Sequence, residues 1–207
     1  MSIYVIDCGI GNVGAVRSMY RRLGRHAELI DTPRPLERGD RLILPGIGAF
    51  DSGAKAIDDR GFCAWLVEAA AAGHGILGIC LGMQLLCRGS EEGCRPGLGL
   101  IPAEVTRLVP GPERVRIPHM GWNIVEAVRD SPILPLAETA EQRFYFTHSF
   151  AVPFTDDNFV WARTRYGGDF ASAIGRGQVM GVQFHPEKSH RFGMALLERF
   201  ASLELVA

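Results

Sequence analysis

From Ser2 to Asp7 the chain is a short apolar run of strand type. Past the turn from Gly9 to Gly14, Val13, Val16, Met19, Tyr20 and Leu23 recur at helical spacing until Gly24. Strand, loop and helix then repeat. Ala27 to Ile30 and Arg41 to Leu44 read as strands, Phe62 to Ala72 as a helix ended by Gly73, and Gly75 to Ile79 as a buried strand. Such alternation predicts an α/β fold, with a mostly parallel central sheet flanked by helices. From Leu98 to Phe184 the texture changes. Glu104 to Leu108, Arg143 to Phe150, Phe159 to Arg165 and Val179 to Phe184 are strand-like with little helical periodicity, so the C-terminal half is expected to add antiparallel strands. Phe192, Met194, Leu196, Leu197 and Phe200 close the chain as an amphipathic helix. No repeat or linker interrupts the pattern, which points to one domain over residues 1–207.

Composition narrows the partners. The 207 residues are 47% hydrophobic and 22% charged, with a net charge of −1 and both signs interspersed, so no electrostatic footprint for nucleic acid or an anionic membrane is present. The N-terminus carries no basic segment followed by a long apolar one, and no later run approaches a bilayer span, from which a cytoplasmic protein is expected. The five cysteines are odd in number and irregular in spacing, fitting neither a disulfide framework nor a paired zinc site. No metal is expected, because His119, His148, His185 and Cys80 share no short ligand spacing.

The sharpest local feature is Gly78-Ile79-Cys80-Leu81-Gly82, following a strand and opening the helix-like run Leu81 to Cys87. It is the cysteine version of a nucleophile elbow. The glycines permit close backbone approach, and a helix N-terminus favours the thiolate. Leu81 N–H is then one oxyanion donor, and the Pro45-Gly46-Ile47-Gly48 loop is expected to supply a second from Ile47 or Gly48. His185-Pro186-Glu187 follows the strand-like Gly181 to Phe184, where a sheet's carboxyl edge would bring it beside Cys80. His185 is the candidate general base and Glu187 the group that orients it. Gln84, four residues past Cys80, lies on the same helical face and can reach the pocket.

Gly9-Ile10-Gly11-Asn12-Val13-Gly14 competes for attention as a literal G-x-G-x-x-G, with Asp31 ending the next strand. A dinucleotide-binding module would leave Cys80, His185 and Glu187 unexplained. The simpler reading is a tight turn with Asn12 as helix cap. A stand-alone cysteine hydrolase remains open on the elbow alone.

At these residues the chain resembles the class I (triad-type) glutamine amidotransferases, in particular the glutaminase subunits of imidazole glycerol phosphate synthases. The resemblance runs nearly end to end, through Asp7-Cys8-Gly9-Ile10-Gly11-Asn12, Leu44-Pro45-Gly46-Ile47-Gly48, Gly78-Ile79-Cys80-Leu81-Gly82-Met83-Gln84-Leu85, Ser90-Glu91-Glu92-Gly93, Pro118-His119-Met120-Gly121-Trp122-Asn123, Tyr145-Phe146-Thr147-His148-Ser149 and Gln183-Phe184-His185-Pro186-Glu187-Lys188-Ser189. It implies a Cys80–His185–Glu187 triad acting on L-glutamine without a cofactor. Gln84 and Glu92 are implied to bind the substrate, and His148 and Ser149 to line its amino-acid end. It further implies a heterodimer with a (β/α)₈-barrel cyclase that receives the ammonia, faced by Pro118, His119, Met120, Trp122, Asn123 and Lys188. Phe150 stands where the family usually has tyrosine. Gly48-Ala49-Phe50-Asp51, Tyr166-Gly167-Gly168-Asp169-Phe170 and the run from Lys188 to Met194 look more like a paralogous branch that feeds amino-sugar amidination for surface polysaccharide.

Overall fold

The computed structural model describes residues 1–112, 114–136 and 141–204. The other positions of the expected 1–207 unit lie outside the described residues. In chain order the elements are β1 (Ile3–Ile6), α1 (Val13–Arg22), β2 (Glu28–Ile30), β3 (Arg41–Gly46), α2 (Phe50–Asp59), α3 (Phe62–Ala71) and β4 (Gly75–Cys80). They continue with α4 (Leu81–Leu86), β5 (Gly89–Ser90), β6 (Glu104–Arg107), β7 (His119–Ala127), β8 (Gln142–His148) and β9 (Phe150–Pro153). The chain ends with β10 (Val160–Arg165), β11 (Asp169–Arg176), β12 (Val179–Val182), a 3₁₀ turn (Pro186–Lys188) and α5 (His190–Ser202).

The strands order as β2-β1-β3-β4-β12-β11-β10-β7-β8. From β2 to β12 all pairings are parallel, and from β12 to β8 all are antiparallel. The expected α/β sheet with an antiparallel C-terminal extension is therefore the observed one. Side chains alternate across the parallel half. Val5, Ile43 and Leu77 pack with Val16 and Tyr20 of α1 and Leu196 and Phe200 of α5. Tyr4, Leu42 and Ile76 pack on the other side with Phe50, Ile57, Leu66 and Leu85 of α2, α3 and α4. Burial on both faces explains why these strands read as unbroken apolar runs.

Several elements escaped the pattern, the two-residue strand β5 among them. Helix α2 has the polar sequence FDSGAKAIDD, with only Phe50, Gly53, Ala54 and Ile57 buried. Strands β7 and β11 were not anticipated either, and the expected Arg143 to Phe150 strand is two strands, β8 and β9, broken at Ser149. Asn12 does cap α1, its side chain accepting from Ala15 N–H at 3.1 Å. Gly11 is pressed against Pro45, where a Cβ would lie 2.9 Å from the carbonyl oxygen, so the glycine-rich turn packs on the β3 loop. Among the described residues no helix is long and apolar enough to cross a membrane, and no group of three or more His, Cys, Asp or Glu side chains is arranged to hold a metal.

Candidate active site

The parallel pairing of β4 with β12 aligns Ile79 with Val182. Cys80 and the segment after Val182 therefore leave the sheet at the same carboxyl edge. Cys80 occupies the turn between β4 and α4 with φ 55° and ψ −110°, a conformation that L residues rarely adopt. Glycines make the turn possible: a Cβ on Gly82 would sit 1.7 Å from Leu44 O, and one on Gly78 would sit 2.6 Å from Gly82 O. Leu81 begins α4, so its N–H has no acceptor within the helix.

His185 is held from both sides. Its N–H donates to Tyr145 O at 2.8 Å, its carbonyl accepts from Ser189 Oγ at 2.6 Å, and Ser189 Oγ accepts from Tyr145 N–H at 3.0 Å. The following 3₁₀ turn brings Glu187 back, so that His185 Nδ1 lies 2.8 Å from Glu187 Oε1. Both side chains are buried, and among the described residues His185 Nε2 and Glu187 Oε2 have no hydrogen-bond partner. Burial alone would lower the imidazole pKa, but interaction with the Cys80 sulfur and the Glu187 carboxylate outweighs it and raises the value to about 9. The three side chains singled out in the sequence are thus gathered in one place.

A cleft of about 400 Å³ opens over Cys80, lined among others by Gly48, Gln84, Glu92, His148, Ser149 and Lys188. Gln84 is nearly buried, and its amide nitrogen donates to Phe150 O at 3.0 Å and Gln183 Oε1 at 3.1 Å. Glu92 accepts Phe50 N–H at 2.9 Å, capping α2, which has no side-chain cap at its own N-cap residue. Ser149 reaches the cleft, while its carbonyl is taken by Leu108 N–H. The expected second oxyanion donor differs between its two candidates. Ile47 N–H is already given to Ile10 O, whereas Gly48, at φ +100°, has no acceptor for its N–H among the described residues.

Strand alternation sorts the expected partner face. Met120 and Trp122 are 63% and 46% exposed, and Pro118 and Lys188 are exposed at the mouth of the cleft. Trp122 stacks on His190 at 5.4 Å. His119 departs from the expectation: only 2% exposed, it points inward, stacked on Phe146 and Tyr166, with Nδ1 3.0 Å from His148 Nε2. The Asn123 amide also turns inward, to His119 Nε2 and Arg165 O. Period-2 alternation from the exposed Met120 and Trp122 would have placed both inside.

Two neighbours of the sulfur were missed. Gln183 Nε2 lies 3.7 Å from Cys80 Sγ, and Thr147 O lies 3.9 Å away. Gln183 precedes His185 by two positions, so in an extended segment both side chains leave the same face; that signal was present in the sequence.

Comparison with known proteins agrees with this arrangement. Residues 4–202 match the family described as Glutamine amidotransferase class-I. The imidazole glycerol phosphate synthase subunit HisH of Symbiobacterium thermophilum is 42% identical over 202 residues, covering 97% of this chain and 93% of that one. HisH 2 of Pseudomonas aeruginosa is 41% identical, covering 97% and 99%. A solved structure described as a glutamine amidotransferase superposes with a TM-score of 0.73 at 21% identity, over 98% of this chain and 100% of that one, a likeness of fold. With a family match that runs almost from end to end, the chain belongs to the class I glutamine amidotransferases.

Proposed function

We propose that residues 1–207 act as one glutaminase domain, the subunit that supplies ammonia for imidazole glycerol phosphate formation in histidine biosynthesis. The observation that carries the reading is the convergence of Cys80 with the buried His185–Glu187 pair at one sheet edge. The relatives named as HisH support the pathway.

In this mechanism His185 takes the thiol proton and Cys80 Sγ attacks the side-chain carbonyl carbon of glutamine. Leu81 N–H and Gly48 N–H stabilise the oxyanion. The tetrahedral intermediate collapses, the C–N bond breaks, and His185 returns its proton to the leaving nitrogen as ammonia departs. Water then attacks the thioester. His185 takes a proton from it and delivers that proton to sulfur, releasing glutamate. Glu187 holds Nδ1 and stabilises the imidazolium. Gln84 and Glu92 bind the substrate, and His148 and Ser149 line its amino-acid end. Ammonium is not a nucleophile, so the product must leave neutral by a dry path. Pro118, Met120, Trp122 and Lys188 form the face for the cyclase, a (β/α)₈ barrel in this reading.

The glycine-bearing Pro45 to Gly48 loop, with Gly48 at φ +100°, supports a site that is slow alone and completed on association. The test is glutamate release with and without a cyclase subunit. Expected are stimulation by the cyclase and a fall of roughly 10³-fold or more in Cys80→Ala. Undiminished turnover in Cys80→Ala defeats the triad. Imidazole glycerol phosphate formation that fails in the presence of a competent cyclase redirects the ammonia to another acceptor, such as an amino-sugar amidinating synthase.

A further inference from the structure

The resting cysteine has a buried polar neighbour for which the triad has no use. Gln183 is fully buried, with its amide nitrogen 3.7 Å from Cys80 Sγ and its amide oxygen 3.1 Å from Gln84 Nε2. The two ends of an amide have nearly the same outline, so orientation follows from the partners. The Phe150 carbonyl can only accept, and the Gln84 group 3.0 Å from it is therefore the NH₂ end. The second hydrogen of that NH₂ needs an acceptor, which turns Gln183 Oε1 towards it. Gln183 is left with its own NH₂ facing sulfur.

The same carbonyl fixes the other half of the network. It lies 2.9 Å from His148 Nδ1, so that nitrogen carries the hydrogen and Nε2 is bare. His119 Nδ1 then donates to His148 Nε2 at 3.0 Å, and His119 Nε2 accepts from Asn123 Nδ2 at 3.2 Å. Both histidines must be neutral for this pattern, and burial lowers their pKa values to about 3 for His148 and about 4 for His119. Each donor between Asn123 and Cys80 has a single assignment, and the direction reverses at the Phe150 carbonyl, which accepts from both sides.

We propose that Gln183 is a catalytic hydrogen-bond donor to the Cys80 sulfur, favouring its thiolate and fixing the line of attack, and that Gln84 is the positioning residue that keeps the Gln183 amide the right way round. The inference rests on the reading of Cys80 as nucleophile. On the opposite side of the balance stands Thr147 O, 3.9 Å from sulfur, an acceptor that favours the protonated thiol. A thiolate beside that carbonyl needs donors, and Gln183 is the one that the described residues place there in addition to His185.

The test reads thiolate directly, without turnover. The chain is alkylated with iodoacetamide from acid to alkaline pH in the absence of glutamine, Cys80 is followed by mass spectrometry, and the exposed Cys94 serves as reference. Gln183→Met removes the donor at similar volume and is expected to displace the Cys80 profile upward by about one pH unit, roughly tenfold less thiolate at a given pH, while Cys94 stays in place. Gln84→Met removes the hydrogen that holds Gln183 Oε1 without adding a charge, frees that amide to turn over, and displaces the profile in the same direction. An unmoved Cys80 profile in folded Gln183→Met overturns the proposal. Should Gln183→Met lose its circular dichroism signal, Gln84→Met decides on the same criterion. The two readings part cleanly: glutamate release that survives in Cys80→Ala defeats the nucleophile, whereas the alkylation profile stands or falls without it.

Discussion

His185 is a buried imidazole whose pKa is nonetheless raised: desolvation lowers the value, and interaction with the Cys80 sulfur and the Glu187 carboxylate lifts it to about 9. Its charged form acts as the acid for ammonia departure, so the alkaline limb of kcat/KM for glutamine is expected near that value. Glu187→Gln keeps the shape and removes the charge. The limb should move to lower pH and kcat/KM should fall by about 10- to 100-fold; a limb that stays put assigns the carboxylate no electrostatic part. His119 and His148 behave in the opposite sense. Their folded pKa values, about 4 and about 3, lie below the ordinary 6.5, so between those limits the unfolded chain binds more protons than the folded one. Their contribution is fully present above pH 6.5 and is lost as pH falls towards about 4 for His119 and about 3 for His148. Melting temperature should decline across that window, and a flat curve there would mean that the two rings are not buried neutral. The sequence marked His148 for the site through its resemblance but put His119 on the surface. A histidine in a polar stretch carries no mark of burial until the strand around it is recognised.

The crossing of β3, β4 and α4 is the element on which the nucleophile depends, and its glycines are unequal to others in the chain. Gly82→Ala would drive a Cβ into the Leu44 carbonyl at 1.7 Å, backbone against backbone, with nothing flexible to yield. A loss of about 3 kcal/mol or more in urea unfolding is expected, or failure to fold. Gly14→Ala, in α1 with only Asn12 Oδ1 nearby at 4.0 Å, is the contrast: roughly 0.5–1 kcal/mol of added stability from helix propensity. Equal effects of the two substitutions would show that close approach at the elbow is not what the glycine provides. These glycines also explain what was legible. Strands buried on both faces, such as Arg41–Gly46 and Gly75–Cys80, announce themselves as apolar runs bounded by glycine. Strand β7 is exposed at Met120, Trp122 and Glu126 and contains Gly121 and Asn123, and α2 buries only a narrow stripe, so neither stands out from loop.

For the molecule as a whole, the sequence made the meeting of Cys80 and His185 readable because both follow apolar strands, and in a parallel sheet neighbouring strands end at the same edge. What it could not convey was the wiring between that edge and the outer face of β7, since hydrogen bonds among residues 66 or 99 positions apart leave no local pattern. Met120 and Trp122 expose that face beside the cleft mouth. Trp122→Ala is expected to weaken association with the cyclase about tenfold in a calorimetric titration, as loss of an aromatic anchor does. Unchanged affinity would move the contact elsewhere. The row of donors running inward from this face branches at the carbonyl oxygen of Phe150, shared by His148 and Gln84. A main-chain atom is common to all twenty amino acids, so no codon change at position 150 deletes the junction, and tyrosine or phenylalanine serves it equally. Only an inserted or deleted residue in the bend between β8 and β9, by moving the peptide itself, would cut the circuit there.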